Sequence, residues 1–233
     1  YGYRWYETAF ADGIKITANG YEQDFSTEEG YRQIVQYPFG YGLSYTTFKW
    51  ELVEAPSAPV TQSTDAFTVK VKVTNTGSVA GKDVVQLYIG APYTPGGIEK
   101  AAVTLVDFAK TDTLKPGQSQ ILTLSFTAYD LAAYDCYDAN KNGFAGYELE
   151  QGSYSLKLMT DAHSARLTFD LQVPQGLQFA VDPVTGQTVE NRFTGSESYG
   201  SPIDGGVKYM TRADFAGTFP VAQVAGTKTV TVK

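Results

Sequence analysis

From Phe67 to Thr74 apolar and polar residues alternate without a break: Phe67, Val69, Val71 and Val73 on one side, Thr68, Lys70, Lys72 and Thr74 on the other. A period of two places successive side chains on opposite faces of a strand and predicts a strand with one buried face. Asn75-Thr76-Gly77 supplies a turn, and Val84 to Ile89 reads as a second, more apolar strand. Ala101 to Phe108 reads as a third, and Lys115-Pro116-Gly117-Gln118 as another turn. The alternation returns at Leu122, Leu124 and Phe126, at Tyr154, Leu156 and Leu158, and at Leu167, Phe169, Leu171 and Val173. Six or seven short strands separated by polar turns, uninterrupted by an amphipathic helix, predict an all-β antiparallel sandwich over residues 66–174.

The flanks follow other rules. Residues 1–50 are rich in Gly and Tyr and carry few periodic apolar positions. They read as an irregular N-terminal arm, too poor in apolar positions to bury a core alone, with one helical turn at Glu28 to Gln33. Residues 51–65, with Pro56 and Pro59, read as a linker or irregular first strand. Residues 175–233 lack a clear period and read as an extended tail. Turns are expected at Asp182 to Gly186 and Ser201 to Gly206, a short helix capped by Thr211, and a strand at Lys228 to Lys233.

Composition narrows the function classes. A net charge of −7 without a long basic run argues against nucleic acid, and no apolar stretch reaches the length of a membrane span. The single cysteine, Cys136, permits no internal disulfide and suits a reducing, cytoplasmic setting; a buried or idle thiol is the expectation. His163 is the only histidine, so no histidine cluster or triad can be built within the chain, and a structural or solvated role is expected. Asp138, Asn140 and Asn142, followed by Gly143, resemble the first half of a calcium loop, but Leu149 stands where the closing Glu belongs. A turn rich in Asn and Asp is the competing account. The 17 tyrosines and 13 phenylalanines suit strands, interfaces and sugar-facing surfaces alike. At the arm, Tyr1, Tyr3, Trp5 and Tyr6 are open to two uses, a domain interface or a sugar contact, with Arg4 placed to pair with an acidic group.

One segment points further. Pro38-Phe39-Gly40-Tyr41-Gly42-Leu43-Ser44-Tyr45-Thr46 alternates glycines with aromatics behind a proline, and predicts a closely packed turn. It closely resembles a segment of glycoside hydrolase family 3, the β-glucosidase-type enzymes. Val73 to Tyr88, Leu114 to Ser119 and Glu150 to Tyr154 are similar to further stretches of that family, and Tyr3 to Tyr6 to one just upstream. The resemblance implies that residues 1–50 are the end of an α/β sandwich domain and residues 66–174 an immunoglobulin/fibronectin type III-like domain. Leu158 to His163 and Lys208 to Pro220 are similar to members with reversed domain order, so that residues 175–233 would lead to a catalytic barrel. It further implies that the nucleophilic Asp and the acid/base Glu lie in other parts of such an enzyme. No catalytic residue is expected here: Glu7, Glu28 and Glu29 match neither motif and are expected on the solvated surface. The expected function is a non-catalytic accessory module, with a carbohydrate-binding module as the alternative. The expected partners are the remaining domains of the parent hydrolase, a carbohydrate, or a second copy within the parent. No cofactor is expected beyond the calcium candidate.

Overall fold

The structure is a computed structural model that describes residues 2–18, 21–191 and 211–215. The arm contains helix α1 (Gly2–Ala11), the hairpin β1 (Lys15–Ala18) and β2 (Tyr21–Asp24), and helix α2 (Glu28–Ile34). The arm is followed by an ordered strap, residues 35–47, without regular secondary structure. Then come β3 (Phe48–Glu54), β4 (Ala66–Asn75), β5 (Val84–Gly90), β6 (Thr104–Lys110) and β7 (Ser119–Thr127). The short strands β8 (Ala133–Asp135) and β9 (Gly146–Leu149) precede β10 (Gly152–Met159) and β11 (Ala165–Val173), and β12 (Leu177–Phe179) closes the order.

Two antiparallel sheets, β3-β4-β7 and β11-β10-β5-β6, face each other. The register matches the alternation in the sequence: Val69 stands opposite Leu124 and Val71 opposite Leu122. In the facing sheet Leu87 stands opposite Leu158 and Ile89 opposite Leu156. These side chains, with Trp50, Val73, Val85, Phe126, Tyr154 and Leu171, form the main core between the sheets. Burying one such side chain contributes about 1.5–3 kcal/mol, so the period-two pattern fixes which face of each strand turns inward.

Several sequence expectations need correction. The stretch 51–65 is not all linker: β3 begins at Phe48 and pairs along β4 from Phe48–Asn75 to Glu54–Lys70. The third strand lies at Thr104–Lys110, three residues later than expected. The arm does bury apolar residues: Ala9, Phe25 and Tyr31 form a second core with Phe215 from the far end of the chain. All its other members, among them Trp5, Tyr6, Phe10, Ile14, Ile16, Ile34 and Val35, lie in the arm, spread over two helices and a hairpin, so no single window shows the core. Thr211 caps a single turn, accepting from the Ala213 amide at 3.1 Å, rather than a helix. The tail opens with β12, which joins β9 and β8 in a separate three-stranded sheet. The turn at Asp182 to Gly186 is present, its Asp182 carboxylate accepting from the Val184 and Thr185 amides. Tyr1, the expected turn at Ser201 to Gly206 and the expected strand at Lys228 to Lys233 fall outside the described residues.

Candidate functional site

The site builds outward from β5. Its burial pattern is nearly continuous, because the inward Val85, Leu87 and Ile89 face the main core while Gln86 and Tyr88 on the outer face are also buried. The cover on that outer face is the arm and the strap. Tyr3 of α1 sets its ring edge-on to Tyr88 at 6.1 Å and stacks on Phe39 of the strap at 4.7 Å. Its hydroxyl accepts from the Leu105 amide at 2.9 Å, and Thr8 accepts from the Ala102 amide at 3.0 Å.

Gly40 decides how closely the strap approaches. It adopts φ +80°, a conformation L side chains rarely take, and a Cβ built on it would lie 2.2 Å from the Gln86 side-chain oxygen. The Gln86 amide nitrogen donates to the Gly40 carbonyl at 3.2 Å and to the Thr160 carbonyl at 2.6 Å, while its oxygen accepts from the Tyr88 hydroxyl at 2.8 Å. The far end of the strap is tied by Asn75, fully buried, whose side-chain oxygen accepts from Thr46 and whose nitrogen donates to the Val79 and Leu114 carbonyls.

The loop between β10 and β11 completes the joint. Asp161 accepts from the His163 and Ser164 amides, and the Ala162 amide donates to the Phe39 carbonyl at 2.8 Å. The turn aims His163 into the arm, where Nδ1 lies 2.8 Å from Glu7 Oε2 and Nε2 lies 2.8 Å from Glu28 Oε2. Tyr31 stacks on the imidazole at 3.9 Å and donates its hydroxyl to the other oxygen of Glu7. Phe10 closes one side, and Glu28 also pairs with Arg32 one turn along α2. Burial works against a charged His163, but the hydrogen bonds and charges of Glu7 and Glu28 outweigh it and raise its pKa. The Glu28 carboxyl is lowered, chiefly by its hydrogen bond to His163. Burial is the main cause that raises the Tyr31 hydroxyl, with Glu7 adding to it.

The structure therefore corrects one reading and sharpens another. Glu7 is not on the solvated surface but buried inside the chain, whereas Glu28 and Glu29 are exposed. His163 is structural, and it bridges two carboxylates that nothing in its local sequence announces. Glycoside hydrolysis needs two carboxyl groups flanking a cleft. Glu7 is instead enclosed by Tyr31 and His163, and Glu28 is taken up by His163 and Arg32.

The other candidates are placed as follows. Trp5 packs edge-on against Tyr6, Phe25 and Phe215, at 5.2, 5.4 and 5.8 Å. Arg4 and Trp5 line a cleft of about 400 Å³ that also contains Glu99, Lys100 and Arg212. Arg212 grips Asp12 with two guanidinium nitrogens, at 2.6 and 2.7 Å, and lies over the Tyr93 ring. In the Asp138 loop the potential ligand oxygens accept from main-chain amides. Asp138 takes Asn142 and Gly143, Asn140 takes Asn142, and Asn142 takes Phe144. The Asn140 and Asn142 amide nitrogens turn to Glu148, and Leu149, at the closing position, is buried in the main core. Among the described residues no group of three His, Cys, Asp or Glu side chains is placed to hold a metal ion. Burial pushes the Cys136 thiol up, away from the reactive thiolate. Among the described residues no helix is long and apolar enough to cross a membrane.

Comparison with known proteins decides the family of the central module. The model of the fibronectin type III-like domain matches residues 83–162. The chain carries a fibronectin type III-like domain. The matched residues run from the threshold of β5 to the β10–β11 loop, and the structure adds β3 and β4 before them and β11 after. The chain is 42% identical over 153 residues to β-glucosidase A of Butyrivibrio fibrisolvens, covering 61% of this chain and 18% of that one. It is 40% identical over 156 residues to a β-glucosidase of Ruminococcus albus, covering 65% and 16%. Among solved structures, β-glucosidase 3B of Thermotoga neapolitana in complex with α-D-glucose superposes with a TM-score of 0.53 at 29% identity, over 76% of this chain and 20% of that one. The fibronectin-like domain and its flanks thus match a segment of glycoside hydrolase family 3 β-glucosidases, as the strap and turn motifs implied. The chain spans less than a fifth of the length of these two curated relatives.

Proposed function

We propose that this chain is a non-catalytic accessory module of a β-glucosidase-type glycoside hydrolase, one that braces the catalytic domains. The observation that carries the reading is the reach of the structural likeness. It covers 76% of the chain, a larger share than β3 to β11 occupy, so the likeness extends beyond the sandwich into its flanks. A free-standing fibronectin-like domain would have no use for a strap and arm locked to it through Gln86 and His163. The enclosure of Glu7 supports a structural rather than a chemical role for the arm. A reversed domain order, a cytoplasmic location and assembly through the parent enzyme belong to the same reading.

The test is hydrolysis of an aryl β-glucoside. The purified chain is expected to be inactive and the full-length protein active; turnover by the chain alone would overturn the proposal. A carbohydrate-binding module is the second reading, favoured by one feature. Tyr134 and Tyr147 line an open cleft of about 530 Å³ together with Asp182 and Gln187. Retention of the chain on cellulose or xylan, lost when both tyrosines are replaced by alanine, is the result that would favour it.

A further inference from the structure

The strap turns an unusual face outward. No charged residue occurs between Arg32 and Lys49, in a chain in which 18% of residues are charged. Tyr45 is 102% exposed, Leu43 88% and Tyr37 64%, with Phe39 and Tyr41 near one half. Tyr37 and Tyr41 pair their rings at 5.2 Å. The backbone that presents them is held at several points. The Phe39 and Gly40 carbonyls accept from the Ala162 amide and the Gln86 side chain, the Tyr41 amide donates to the Pro38 carbonyl, and Thr46 is tied to Asn75. Large apolar groups standing in water on a fixed backbone are arranged for docking, because little conformational entropy remains to be lost on contact.

We propose that the strap is a docking surface, and that its occupant is an apolar, uncharged face of another folded domain of the same polypeptide. The inference rests on the accessory-module reading. Three observations select this occupant. The β-glucosidase relatives are more than five times the length that the chain covers in them, and a covalently linked domain meets the strap at high effective concentration. The strap continues an interface already formed, since Tyr3 of the arm stacks on the inner side of Phe39 and meets Tyr88 of the sandwich. The absence of charge excludes a partner held by ion pairs. Two of its small hydroxyls are already engaged: Ser44 accepts from the Thr46 amide, and Thr47 is paired with Thr76.

The experiment compares Leu43→Asp/Tyr45→Asp in two settings. In the 233-residue chain both side chains are exposed, so the melting temperature is expected to stay within about 1 °C of the parent. In the full-length protein the same pair is expected to lower it by about 4 °C or more and to speed proteolysis between domains. Val184→Asp, at a site 84% exposed elsewhere, is expected to be silent in both. A full-length variant that melts like its parent overturns the inference and leaves the accessory-module reading standing, since that reading is tested by turnover. A 233-residue chain that sediments as a dimer, and as a monomer once the pair is introduced, makes the occupant a second copy and overturns it too. So does a cello-oligosaccharide that quenches tyrosine fluorescence in the parent and not in the variant.

Discussion

His163 Nδ1 lies 2.8 Å from Glu7 Oε2, across 156 positions of sequence. The contact joins the β10–β11 loop of the sandwich to α1 of the arm, and Glu28 extends it to α2. Its pH dependence follows from the sign of the shifts. His163 has a folded pKa above its unfolded value near 6.5, so its contribution is complete below that value and is lost as pH rises through the folded pKa. Glu28 is shifted down, so its contribution is present above its unfolded value of 4.5 and is lost as pH falls through the folded pKa. The joint is therefore expected to be strongest between those two unfolded values. On the alkaline side stability should fall by at most about 1.4 kcal/mol per pH unit, the limit for one proton. Melting curves from about pH 5 to about pH 9 should show this decline in the parent and a flatter profile in His163→Asn.

Removing the imidazole also leaves Glu7 buried with only the Tyr31 hydroxyl and neighbouring groups to compensate its carboxylate. His163→Ala is expected to cost about 3 kcal/mol, and Glu7→Gln in that background less than in the parent, a coupling of about 1–3 kcal/mol. Urea unfolding of the two single variants and the double variant measures it. Additive costs would show that the two groups do not interact.

The two strap glycines should separate sharply. Gly40 has φ +80° and the Gln86 side chain where its Cβ would stand, whereas a Cβ on Gly42 meets nothing within 4 Å. Gly40→Ala is expected to cost about 2 kcal/mol or more, with part recovered in Gly40→Ala/Gln86→Ala, and Gly42→Ala to stay within about 0.5 kcal/mol. Thermal melts of the three variants decide it.

Asn75 is fully buried and its side chain serves Thr46, Val79, Leu114 and the Gly77 amide at once. Asn75→Ala is expected to cost about 3 kcal/mol, because several buried groups lose their partner together. Asn75→Asp keeps the acceptor and loses both donations, so it should be destabilised as well. Amide exchange should quicken at Gly77 in Asn75→Ala, where its acceptor is gone.

The Asp138 loop is expected to keep its shape without an ion, because its oxygens already accept main-chain amides. Melting with added calcium and with a chelator should coincide. Asp138→Ala should destabilise the loop by about 1 kcal/mol in either condition.

The sequence by itself determined the sandwich and carried the resemblance to glycoside hydrolase family 3. Alternation at Phe67 to Val73, Leu122 to Phe126 and Tyr154 to Leu158 is a local property of a strand with one wet face, and each of these segments is where it was expected. The strap motif and the Asn75 turn carried the resemblance in the same way, through residues adjacent in the chain. The turn at Asp182 to Gly186 was legible too, because an Asp that accepts two nearby amides acts within four residues. What only the tertiary structure decided is everything held by partners distant in sequence. Glu7 looks like a surface acid until His163 and Tyr31 enclose it, and Phe215, from the far end of the chain, joins the core of the arm. Gln86 looks like one polar position in an apolar strand until Gly40 and Thr160 turn it into the anchor of the strap. Periodicity reports which face of an element is dry, but not which distant segment makes it dry. That choice rests on packing and on pairing of buried polar groups, which arise only when the chain has closed.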